Sequence, residues 1–149
     1  MTVQLSTGLR NKMLDGGVGG GFKGSLNLGF INVYSGPQPI SADSAATGTL
    51  LGTASVDGAG TGLTMQASAA GSISKTPTET WRFAGLADGT AGWARFYPSG
   101  GNPAGSSTTE ARIDFAIGTA NADIVISNMS VKVGTPCTID TFVFGMPAK

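Results

Sequence analysis

The sequence predicts an all-β protein: an antiparallel β-sandwich or jelly roll of about eight or nine strands, preceded by a short N-terminal helix or arm. Three observations predict it. Apolar side chains recur at every second position in three C-terminal runs: Ala111, Ile113, Phe115 and Ile117; then Ile124 and Ile126; then Ile139, Thr141 and Val143, opposed to Phe142 and Phe144. A period of two marks a strand with one face buried. The runs follow each other too closely for helical crossovers, which requires antiparallel pairing. Finally, only 12% of residues are charged and 24 are glycine, a composition unsuited to helix surfaces and suited to a turn-rich sheet protein.

The elements follow in order. Ser6 or Thr7 caps a short helix through Leu14, with Leu9, Met13 and Leu14 on one side, and Asp15-Gly16 ends it. The glycine-dominated stretch Gly16 to Gly24 reads as a flexible tether. Residues 1–24 are therefore expected as an arm and 25–149 as a single β-sandwich domain, the length being that of one domain. The first strand is expected over Leu26 to Tyr34, broken by Ser35-Gly36-Pro37-Gln38-Pro39, with one helical turn around Ala42 to Ala46. Strands follow over Thr49 to Val56 and Gly62 to Ser68, with a short edge piece at Ser72 to Lys75. Thr80 to Leu86 and Ala91 to Tyr97 are expected to pair as a hairpin around Asp88-Gly89. Pro98 to Ser107 reads as a protruding loop, and Glu110 to Ile117, Asp123 to Ser127 and Thr138 to Phe144 complete the sheet.

Composition also narrows function. Nine basic and nine acidic residues cancel, so no net field attracts nucleic acid or an anionic membrane, and neither is expected as a partner. Histidine, the side chain most used for proton transfer near neutrality, is absent. Cys137 is the single cysteine, so no intrachain disulfide or multi-cysteine metal site can form, and its apolar run makes it a buried small hydrophobe. The N-terminal residues lack the apolar core of a secretion signal and no run approaches a membrane span, so maturation in a cytoplasm, or export by a route that needs no N-terminal signal, is expected.

Several motifs invite a chemical reading, and a plainer one stands beside each. Gly19-x-Gly21-x-x-Gly24 matches the dinucleotide fingerprint in letters, but that motif needs a strand before it and a helix after it, and here a helix precedes and a strand follows. Glu79 and Glu110 are the only glutamates, and Asp88 sits in an expected turn; a glycosidase would need two such groups facing across a pocket, and solvated strand or loop positions fit better. Trp81, Phe83 and Tyr97 alternate with polar or small residues as core aromatics do, against the alternative of a sugar-stacking site. Arg82, Arg95 and Arg112 fall on or beside the opposite parity to the apolar sets of their strands, which places them on a wet face. Asn128-Met129-Ser130 fits a glycosylation sequon, which means nothing without a secretory signal. No catalytic, cofactor or metal residue is assigned.

Leu5-Ser6-Thr7-Gly8-Leu9-Arg10-Asn11, Ile31-Asn32-Val33-Tyr34-Ser35-Gly36-Pro37-Gln38-Pro39, and Ala42-Asp43-Ser44-Ala45-Ala46-Thr47-Gly48-Thr49-Leu50-Leu51 together resemble stretches of small virion structural proteins of tailed bacteriophages. Thr80-Trp81, Gly89-Thr90-Ala91-Gly92-Trp93-Ala94-Arg95-Phe96 and Ala122-Asp123-Ile124-Val125-Ile126, with Val143 and Phe144, continue the similarity in order. The resemblance implies a non-enzymatic virion component, foremost a capsid cement or decoration protein on the outer shell. Its implied partners are the major capsid protein and copies of itself, as a homodimer or homotrimer. The arm Met1 to Lys23 and the loop Pro98 to Ser107 are the expected shell contacts. The alternative is a tail- or fibre-associated module that binds a host surface glycan.

Overall fold

The computed structural model describes residues 3–16 and 20–146, and the chain is mostly β. Its elements are β1 (Gln4–Leu5), α1 (Thr7–Asp15), α2 (Gly21–Leu26), β2 (Phe30–Ser35), β3 (Leu50–Val56), β4 (Ser72–Ser74), β5 (Trp81–Ala84), β6 (Gly89–Tyr97), β7 (Ile113–Gly118), β8 (Ile124–Ile126), β9 (Ser130–Val131) and β10 (Pro136–Gly145). The all-β expectation holds, but the sandwich does not. β6 pairs with both β2 and β7, so the sheet closes on itself as a seven-stranded barrel in the order β7-β8-β10-β5-β3-β2-β6, and β1, β4 and β9 are short additions. Closure leaves one interior in place of the two facing sheets of a jelly roll.

That interior holds the aromatic mass. Trp81, Phe96, Phe115 and Phe142 are buried together, with ring centroids 5.3–6.1 Å apart and several edge-to-face contacts. Ile31, Val33, Leu51, Ile113 and Ile139 pack around them in the same core. Gly52 is there for space: a Cβ at that position would sit 2.1 Å from the Phe83 ring.

The helix prediction holds closely. Ser6 caps α1, its Oγ accepting from Leu9 N–H at 3.1 Å, and Gly16 closes the far end. Residues 3–16 of the expected arm are docked, and of the expected tether Gly16 to Gly24, residues 17–19 lie outside the described residues while Gly21 to Gly24 belong to α2. β1 pairs with β7, Leu9 is fully buried, and Gly8 lies against the Thr109–Glu110 backbone, where a Cβ would clash at 2.3 Å.

Five local expectations are corrected. The run from Leu26 begins as the end of α2 and becomes strand only at Phe30, after Leu28 turns through a positive φ of 65°. The helical turn expected at Ala42 to Ala46 is a non-helical turn, because the Asp43 and Ser44 carbonyls are drawn to buried arginines. Gly62 to Ser68 keeps its alternation, with Leu63 and Met65 buried, yet makes only isolated bridges to Gly29 and Lys75. β5 and β6 do not form the expected hairpin. The Asp88 carboxylate accepts Val133 N–H at 2.9 Å and the Lys132 ammonium at 3.2 Å, so that connection is tied to the β9–β10 turn. β7 and β8 run parallel across only two residue pairs at their tips, where the Asp123 carboxylate accepts Ala116 N–H at 3.1 Å.

β10 corrects a phase as well. Its register shifts between Ile139 and Thr141, so Ile139 points inward with Phe142 and Phe144 while Thr141 and Val143 point out. A bulge inserts one residue and reverses the alternation beyond it.

Candidate functional site

The sequence-derived candidates are dispersed, and most are absorbed into the scaffold. Gly19 of the glycine motif lies outside the described residues. Gly21 and Gly24 belong to the six-residue α2, and the element that precedes the run is α1, so the strand a dinucleotide site requires is missing there. Glu79 accepts Thr64 N–H at 3.0 Å, the Thr64 hydroxyl and the Trp81 indole N–H at 2.7 Å. Partial burial works to raise its pKa, but these hydrogen bonds and the Lys75 charge outweigh it, and the carboxyl titrates below its usual value. Glu110 faces a different segment and accepts Asn102 N–H at 3.3 Å. Asp88 is exposed, and its pKa is lowered by the Val133 N–H and the Lys132 contact. These three carboxylates share no partner. Among the described residues no three His, Cys, Asp or Glu side chains cluster as metal ligands.

Trp81 and Phe83 are core residues, while Tyr97 is half-buried outside the barrel, its hydroxyl donating to Asn32 Oδ1 at 3.2 Å. Cys137 is buried, with its thiol 3.4 Å from the Asn128 carbonyl, and Asn128 of the sequon is exposed.

The arginines overturn the wet-face expectation. Arg82 is exposed and donates to the Asp57 carbonyl, but Arg95 and Arg112 are fully buried. They stand on the outer side of the barrel wall beneath a roof formed by residues 36–49 and 98–110. Arg95 and Asp114 are directly paired across β6 and β7 and form a two-pronged ion pair at 2.7 and 2.8 Å. Arg95 also donates to the Ser44 and Pro103 carbonyls, and its guanidinium lies 5.2 Å from the Trp93 ring centre. Trp93 stacks on Tyr34 at 4.6 Å. Arg112 donates to four roof carbonyls, those of Asn102, Gly105, Asp43 and Ser107, at 2.6–3.1 Å. Burial, and secondarily the Arg95 charge, push the Arg112 pKa down; burial pushes Asp114 up, and Arg95 offsets part of that rise. The Asp43 carboxylate accepts the Thr7 N–H at 2.7 Å and the Thr7 hydroxyl at 2.6 Å, joining roof to α1. The loop Pro98 to Ser107 is thus pinned from beneath and does not protrude freely.

Bare surface lies elsewhere, between the arm that sequence reasoning named as a contact and the end of β10, which it did not name. Between β1 and the end of β10 runs an apolar slot of about 450 Å³, walled by Val3 and Leu5 on one side and Phe144 and Met146 on the other, with Met13 and Leu14 of α1 above. A second hollow of about 380 Å³ shares Met13, Phe144 and Met146 and adds Phe22 and Ile73. Phe22 stacks flat on Phe144 at 4.3 Å. Leu14 is 85% exposed, Met146 57% and Val143 47%. Among the described residues, the only charged side chains lining the two hollows are Arg10 and Lys23. The sequence reading placed Leu14 on one side of the helix with Leu9 and Met13, and the structure instead leaves Leu14 in water beside the slot.

Comparison of the chain with family models, with curated proteins and with solved structures finds no match.

Proposed function

We propose that this chain is a virion structural protein of a tailed bacteriophage, acting as a capsid cement or decoration protein on the outer shell, in dimeric or trimeric form beside the major capsid protein. The observation that carries this reading is the contrast between carboxylates bound into the scaffold and apolar side chains left in water. Glu79, Asp114, Asp43, Asp88 and Asp123 each accept hydrogen bonds that fix a loop or strand. Of the exposed large apolar side chains, Leu14 and Met146 line one seam together, as on a surface made to be covered. The phage-like stretches support the same reading, because they coincide with supporting parts: Asn32 and Tyr34 on β2, the roof from Ser35 to Thr49, and Trp93 and Arg95 on β6.

Association of this kind works by repetition. A compact subunit bridging neighbouring shell proteins contributes little alone, and many identical contacts sum through multivalency. The test is made on particles. Virions assembled without this protein are expected to release DNA after milder heating or osmotic shock than complete virions, and labelled protein is expected over the whole capsid surface. Particles of unchanged resistance, or label confined to the tail, would overturn the cement reading.

A further inference from the structure

We propose that the slot between β1 and β10 receives an extended segment of a partner protein by strand addition, one with apolar residues at alternate positions and acidic residues near its ends. The inference deepens the association reading and rests on it for the identity of the partner, though the slot can be tested without any particle.

Main-chain geometry comes first. Ser6 N–H donates to the Arg112 carbonyl, so on β1 the even positions face β7 and the Leu5 peptide groups face away from it. On β10 the Phe142 carbonyl accepts Lys75 N–H and Met146 N–H donates to the Gly71 carbonyl, so the even positions face β4. The pairing of β10 with β8 stops at Phe142. The Gly145 N–H and C=O therefore point to an edge that no strand covers among the described residues, and Leu5 borders the same slot from β1. Two strand edges flank an apolar gap, the arrangement that β-augmentation uses.

Side chains then select the occupant. Phe144, Met146, Val3 and Leu5 offer apolar walls for alternate side chains. Arg10 lines the slot and Lys23 the adjoining hollow, and no carboxylate among the described residues lines either. Arg10 donates to the Thr7 hydroxyl and neither cation has a carboxylate within ion-pair distance among the described residues, which favours a partner that carries acids, whereas a second copy related by a two-fold axis would set like charges against each other.

The test uses the full chain and a short labelled peptide of alternating valine and threonine with glutamate at each end, followed by fluorescence anisotropy. Saturable binding is expected, with the lysine-ended version about tenfold weaker. Gly145→Pro removes the open-edge donor, and the Cβ it adds meets nothing within 4 Å. It is expected to weaken binding about tenfold with the melting temperature unchanged. Leu14→Glu is expected to abolish binding. Absence of saturable binding, or equal binding by Gly145→Pro and of the lysine-ended peptide, would overturn the proposal. So would sedimentation of the free chain as a dimer that Leu14→Glu makes monomeric, because a second copy would then be the occupant. A Gly145→Pro chain that decorates particles like the parent removes the slot and spares the virion reading; peptide binding by a chain absent from purified particles does the reverse.

Discussion

Two patches on the outside of the same barrel are treated in opposite ways. Over β2, β6 and β7 the outer face is roofed, and Trp93, Arg95, Arg112 and Asp114 beneath the roof are fully buried. At the seam of β1 and β10 the outer face is open, and leucine and methionine stand in water. The roof is rich in glycine, serine, proline and alanine and has almost no large apolar side chain to bury, so hydrophobic contact alone cannot hold it. Arginine solves this by grasping carbonyls: six roof carbonyls accept from Arg95 and Arg112, and Ala46 N–H to the Ala104 carbonyl links one half of the roof to the other. Charge is buried where the roof must be held, and at the seam leucine and methionine are left exposed, as the proposed association would use them.

The largest expected effect breaks the roofed side. Arg95→Met leaves Asp114 buried without its partner and should destabilise by about 3–5 kcal/mol in chemical denaturation. Arg95→Met with Asp114→Leu removes both charges and should recover much of that loss. A double variant no more stable than Arg95→Met alone would show that the carbonyl contacts of Arg95, and not the uncompensated carboxylate, dominate.

Arg112 separates clamp from ion pair, because its four roof partners are all carbonyls. Arg112→Met should cost about 2–3 kcal/mol, less than a lost ion pair because an opened loop can rehydrate its carbonyls. Amide exchange should accelerate at Ala46 and Ser107, whose N–H groups bond within the roof, and stay slow at Ile31 and Phe96 in the barrel. Uniform acceleration over the chain would mean that the roof and barrel open as one unit.

This contrast also measures what the sequence disclosed. The alternating runs gave the strands, Ser6 gave the helix cap, and the aromatic pattern gave the core at Trp81 and Phe83. Closure was hidden, because whether β6 finds β7 as well as β2 depends on pairings distant in the chain. The arginines were misplaced for a related reason. Parity correctly put Arg95 and Arg112 off the barrel interior, but parity cannot reveal that loops far away in sequence cover that face. The bulge in β10 and the Asp88 tie to Val133 similarly reset local patterns through contacts a local reading does not contain. The slot was illegible because it is made by three separate segments, each ordinary alone.

A smaller effect sharpens the comparison by pH. Glu79 has its folded pKa below the unfolded value, so its stabilising contribution is present above the ordinary carboxylate range and is lost as pH falls through the folded pKa. Asp114 under the roof is raised, so the folded state binds its proton more readily, and its contribution grows as pH falls from neutrality through the raised pKa. Glu79→Gln should therefore flatten the loss of stability in acid, and Asp114→Asn should remove the gain just above it. Identical pH profiles for both variants would mean that neither carboxyl is held as its contacts indicate.

The smallest effect tests the open side. Leu14 is 85% exposed, so Leu14→Ser removes a side chain that folding barely shields from water, and stability should change by no more than about 0.5 kcal/mol. On the covered side of the same helix, Leu9→Ala should cost about 2–5 kcal/mol, because Leu9 is wholly buried in the core. The pair compares two leucines of one helix, five residues apart, with the local backbone held constant. If Leu14→Ser destabilised the isolated chain as Leu9→Ala does, the seam would already be covered in the free protein, and its apolar lining would be core. A neutral Leu14→Ser leaves the Leu14 side chain without a role in folding, as the proposed association surface requires.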